Sequence, residues 1–76
     1  MMNEENYILI RNAFNDCYNI FYSKWAKKAL LHPLSDEDWI NILNEAKGLE
    51  KKYINTICHS LTTKLLIELM GLLENV

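Results

Sequence analysis

Seventy-six residues with eight basic and ten acidic side chains, a formal charge of -2 and 50% hydrophobic content describe one small domain over 1–76. The near-neutral balance excludes bulk electrostatic capture of nucleic acid or an acidic membrane, and two glycines are too few to build a phosphate-cradling loop. Apolar runs of only a few residues exclude a bilayer span, while two distant cysteines behind an acidic Met1-Met2-Asn3-Glu4-Glu5 start, with no basic secretory leader, point to a reduced, cytoplasmic protein without membrane contact.

Asn3 can cap a helix whose first turn carries Glu4 and Glu5, and neither Gly nor Pro interrupts the chain before Leu31. The spacing predicts a first helix over about 4–31. At 100° per residue Tyr7, Ile10, Phe14, Cys17, Tyr18, Phe21, Tyr22, Trp25 and Ala29 share a face, with Asn12, Asn15, Asp16, Asn19, Ser23 and Lys27 opposite. Counting Ala13 and Ile20, the apolar arc spans roughly 200°, twice what a one-sided surface helix needs. Such a helix is about 42 Å long at 1.5 Å per residue, whereas a compact chain of this size has a diameter of about 30 Å. Either it breaks around Asn12, Asn15 and Asp16, or another chain covers the surplus.

Pro33 stops this helix and pushes His32 out of helical geometry. In Leu34-Ser35-Asp36-Glu37-Asp38-Trp39, Ser35 and Asp38 form a capping box, and Leu34 and Trp39 occupy the positions of a hydrophobic staple. A second helix over about 36–54 follows, with a stripe of Trp39, Ile42, Leu43, Ala46, Leu49 and Tyr53. Gly48 weakens it and would permit close approach of another helix, and Asn55-Thr56 offers a left-handed cap as a break. A third helix over about 57–74 carries Cys58, Leu61, Leu65, Leu69 and Leu72 on one face, with Leu66, Ile67, Met70 and Leu73 beside them. The expected fold is all-α, a three-helix bundle. The alternative joins the last two helices into one rod, a helical hairpin that dimerises into a four-helix bundle.

Cys17, His32, Cys58 and His59 are the soft ligands, but only Cys58 and His59 are close, and adjacent helical residues diverge by about 100°. The same divergence disqualifies Cys58 and His59 as a nucleophile and base. No catalytic, metal or cofactor site is expected, and the chain reads as a non-enzyme. Lys24, Lys27 and Lys28 around Trp25 could meet phosphates, yet they end the first helix where Asp36, Glu37 and Asp38 begin an antiparallel neighbour, so internal pairing is the stronger reading. The last helix is apolar and carries only Lys64, unlike a DNA-reading helix. Glu50 and Glu68 fall within apolar stripes as rim residues.

The surplus apolar surface predicts a homodimer through the first helix with help from the third, using Tyr7, Ile10, Phe14, Tyr18, Phe21, Tyr22, Trp25, Leu66, Met70 and Leu73. The aromatic-rich first helix, then Asp36, Asp38 and Trp39, Glu45, Lys52-Tyr53 and the Leu-rich stretch from Leu61 to Leu69 resemble small helical proteins encoded by Gram-positive bacterial phages and integrative elements. The resemblance implies an accessory protein of a mobile element that acts by binding. A protein–protein interaction module is therefore the expected function. The alternative is a small nucleic-acid-associated regulator whose basic surface forms on dimerisation; an aromatic ligand pocket is a third reading.

Overall fold

The computed structural model describes residues 3–75, so the leader reading, which uses Met1 and Met2, lies partly outside the described residues. Within them the chain is all-α and folds as a three-helix bundle without strands. Helix α1 runs unbroken over residues 4–31. Its first stretch, Glu4–Phe14, is α-helical, its middle, Asn15–Tyr22, is π-helical, and its last, Ser23–Leu31, is α-helical again. The Asn3 side chain accepts a 2.7 Å hydrogen bond from the Asn6 N–H, fixing the start. His32 is extended, and Pro33 follows it.

The π segment has a cause in the sequence. Ala13, Cys17, Phe21 and Trp25 are all buried and lie four residues apart at every step. In a plain α-helix each such step drifts about 40°, so Trp25 would face about 120° away from Ala13. A π turn closes its hydrogen bonds over five residues, as in Ser23 N–H to Tyr18 O, and each residue therefore turns the chain less. Unwinding the middle of α1 keeps the four side chains on the inward face of the rod. The Asn-rich stretch thus does not break the rod; it changes helical type locally.

Helix α2 spans Asp36–Tyr53 and α3 spans His59–Leu73. The capping box is present: Ser35 Oγ accepts from the Asp38 N–H, Asp38 Oδ2 accepts from the Ser35 N–H, both at 3.0 Å. Leu34 and Trp39 pack partly buried against the core and line one cleft. Between α2 and α3 the backbone has no positive φ among the described residues, so Asn55 is not a left-handed cap. Thr56 makes the break instead, its hydroxyl donating to Tyr53 O at 2.8 Å and accepting from the Cys58 N–H at 3.1 Å. That turn separates the two helices and excludes the joined-rod alternative. It also moves the start of α3 from 57 to His59.

The main core gathers Cys17, Phe21 and Trp25 of α1, Ile42 and Ala46 of α2, and Leu66, Leu69 and Leu73 of α3. A smaller cluster of Ala13, Tyr53 and Cys58, flanked by Leu9 and Ile10, closes the far end. On α3 the buried face is Thr62, Leu66, Leu69 and Leu73, rotated from the expected one, so that Leu72 and Ile67 point to solvent. Leu43 of α2 is also exposed. A Cβ at Gly48 would meet nothing within 4 Å, so this glycine serves no close helix approach. The molecule measures 45 × 18 × 15 Å with a radius of gyration of 13.3 Å, well beyond the ~11 Å of a compact chain this long. The long axis follows from a rod whose first turns project past the bundle.

Candidate interaction surface

Polar chemistry concentrates at two places, and at both it is spent on holding helices together. At the first, Asp16 of the π segment accepts from the Tyr53 hydroxyl at 2.6 Å and from Lys52 Nζ at 2.7 Å. Burial alone would push the Asp16 carboxyl up, but hydrogen bonds from Lys52 and Tyr53, with the Lys52 charge, outweigh it and hold it below its ordinary value. Burial, then the bond and charge of Asp16, push the Tyr53 phenol upward. Helical-wheel reasoning set Asp16 opposite the apolar face. Asp16 lies three positions after buried Ala13, on the flank of the row that turns inward, and so faces α2.

At the second place, Lys28 Nζ lies 2.6 Å from Asp38 Oδ1, and Lys24 pairs with Glu45. The Lys28 hydrogen bond, then the Ser35 N–H, hold the Asp38 carboxyl at about 2 against burial. Asp38 itself is buried, a position the sequence offered only as a cap. Both ammonium groups also sit over the Trp25 ring, at 5.0 and 5.5 Å from its centroid. A shallow cleft of about 420 Å³ lies here, lined by Lys24, Trp25, Lys28, Asn41, Asn44 and Glu45. The expected pairing with the start of α2 is made by Lys28 alone, through Asp38; Lys24 instead reaches Glu45 in the middle of α2, so two of the three lysines nominated for phosphate contact are paired within the fold. Lys27 is exposed.

The soft ligands are not brought together. Cys17 and Cys58 are buried free thiols, and burial, reinforced by the Asp16 charge, pushes Cys17 up to about 11. His32 ends α1 with Nδ1 3.0 Å from Pro33 O, and His59 opens α3. Among the described residues no group of three or more His, Cys, Asp or Glu is placed to hold a metal ion. Trp25 Nε1 and Thr62 Oγ1 are buried without a hydrogen-bond partner among the described residues. Glu50 accepts from Thr63 Oγ1 at 3.2 Å, linking α2 to α3, and Glu68 is exposed.

The residues expected at a dimer interface divide in two. Phe21, Trp25, Leu66 and Leu73 lie in the chain's own core, and Tyr22 and Met70 pack against it. The four core residues are covered without a second copy, a correction to the expected interface that follows from the inward turn of the 13-17-21-25 row and of the α3 face carrying Leu66 and Leu73, while Tyr22 and Met70 are partly covered. Ile10 flanks the small cluster. Tyr7, Phe14 and Tyr18 face outward, 60%, 46% and 53% exposed. Phe14 and Tyr18 line one open groove of about 590 Å³ with Arg11, Asn15 and Asn19, and the Tyr18 ring stacks on Tyr22 at 5.7 Å. Arg11 forms no ion pair among the described residues. Wheel reasoning missed this arginine, although its spacing of four from Tyr7 and three from Phe14 places it on their stripe.

Among the described residues no helix is long and apolar enough to cross a membrane. Compared with known proteins, the chain matches no family model, no curated protein and no solved structure.

Proposed function

We propose that this chain is a non-enzymatic protein–protein interaction module that self-associates through the outward face of α1. One observation carries the reading. Three large aromatic residues, Tyr7, Phe14 and Tyr18, stand 46–60% exposed on one projecting rod, while the charged clusters are consumed between helices. Aromatic side chains with Arg are the composition enriched in protein interfaces and depleted from idle surface. The two buried thiols suit a reduced, cytoplasmic setting, and the resemblance to phage and integrative-element proteins supports an accessory role there.

Sedimentation across concentration tests the reading. A mass rising from one chain toward two between micromolar and millimolar protein supports it; a single-chain mass throughout defeats it. The nucleic-acid reading would instead need Lys24 and Lys28 released from Glu45 and Asp38, and it would show duplex affinity falling steeply with salt.

A further inference from the structure

The outward stripe of α1 reads the same in both directions. Tyr7, Arg11, Phe14 and Tyr18 are separated by four, three and four residues. Arg11, Phe14 and Tyr18 line one groove across the junction of the α and π segments, Tyr7 lies one turn before Arg11 in the α segment, and the spacing is symmetric about a point between Asn12 and Ala13. We infer that two copies of this chain pair their α1 rods antiparallel about a twofold axis at that point, an inference that rests on the self-association proposed above. The symmetry puts Tyr7 of each copy against Tyr18 of the other, and Arg11 against Phe14.

Each juxtaposition has a physical basis. A guanidinium stacks on an aromatic face better than an ammonium does, and Arg11 is the single arginine in the chain. It lies in the groove beside Phe14 and Tyr18, which are open to a partner on that side. Helices approach to 8–10 Å, within reach of these side chains. Glu5 of the acidic first turn falls opposite the exposed Ile20 of the second copy, which brings no like charge.

The area is also of the right order. Tyr7, Phe14 and Tyr18, with the flanking Ile8, leave roughly 350 Å² of apolar surface in water per copy, taking about 200 Å² for a whole aromatic side chain. At the apolar share of about 57% usual for interfaces, that core belongs to a contact of about 600 Å² per copy, the lower end of specific association. A parallel pairing would bury the same side chains but set Arg11 against Arg11. The small area predicts a weak dimer that forms with rising concentration.

Distance measurement between spin labels decides the arrangement. Glu4→Cys and Asn15→Cys variants carry labels beside the stripe without removing any of its four residues, since Asn15 lines the same groove, and the native Cys17 and Cys58 are too buried to compete. In the antiparallel pair the Glu4 labels lie 17 positions apart along the axis, about 26 Å, whereas the Asn15 labels lie five positions apart, about 8 Å. A long Glu4 distance with a short Asn15 distance supports the inference. Two short distances, or two long ones, overturn the antiparallel register while leaving self-association intact; a single-chain mass with no dipolar coupling overturns both. Phe14→Ala should weaken the dimer at least tenfold with the helical spectrum unchanged, and Ile40→Ala, exposed on α2, should not; equal effects would also overturn the assignment.

Discussion

The Tyr53 hydroxyl reaches across 37 positions of sequence to donate a 2.6 Å hydrogen bond to the Asp16 carboxylate, tying the end of α2 to the π segment of α1. Tyr53 is buried, so this bond anchors the end of the bundle where the rod begins to project.

Tyr53→Phe removes the donor but keeps the ring. A hydrogen bond to a charged group contributes about 1.5–3 kcal/mol, and that loss is expected in urea unfolding. Lys52→Ala, whose ammonium is largely in water, should cost less than about 1 kcal/mol. Equal losses would show that the ion pair, not the phenol, holds the junction.

Acid should weaken the fold in a defined window. Asp38 has a folded value of about 2 against an ordinary 3.8, and Asp16 is lowered as well. A depressed carboxyl stabilises the fold fully above the unfolded value and loses that contribution as pH falls toward the folded one. The melting temperature should therefore drop from about pH 4 to pH 2. Asp38→Asn should flatten much of that slope, and an unchanged slope would remove Asp38 from the account.

The π segment predicts an asymmetry between losing and gaining a residue. Deleting Asn19, which is exposed, changes the buried row from spacings of four, four and four to four, three and four, which a plain α-helix keeps on one face. Stability should change by less than about 1 kcal/mol, with helical content retained. Inserting an alanine after Asn19 widens the drift by a further ~100° and should cost at least 2–3 kcal/mol through a misaligned core. Thermal melts followed by circular dichroism separate the two, and a costly deletion would show that the π winding serves more than register.

Gly48 and Gly71 each have open space where a Cβ would stand, inside helices of ordinary φ. Replacing either with alanine should stabilise the protein by about 0.5–1 kcal/mol, because glycine loses more backbone freedom on entering a helix. A destabilisation at Gly48 would reveal a close neighbour, such as a second copy, over that face.

The sequence alone determined where α1 begins and ends and where α2 begins. Asn3, the Ser35 and Asp38 box, and Pro33 act within a few residues of themselves, so α1 over 4–31 and the start of α2 at Asp36 were legible before any contact was known. The meeting of Lys28 with Asp38 was legible too, because a short connection forces antiparallel neighbours to share an end; the Lys24–Glu45 pair, in the middle of α2, was not. The tertiary structure decided which part of an arc of roughly 200° turns inward, since such an arc admits several faces and only simultaneous packing against α2 and α3 chooses one. That choice drew Phe21 and Trp25 into the core, left Tyr7, Phe14 and Tyr18 outside, and rotated α3 onto Thr62, Leu66, Leu69 and Leu73. It also rewound Asn15–Tyr22 as a π-helix, and it set Asp16, three positions after buried Ala13, against Tyr53. A wheel drawn at 100° per residue assumes one winding throughout and has no means of showing this, because the winding here answers to side chains from elsewhere in the chain.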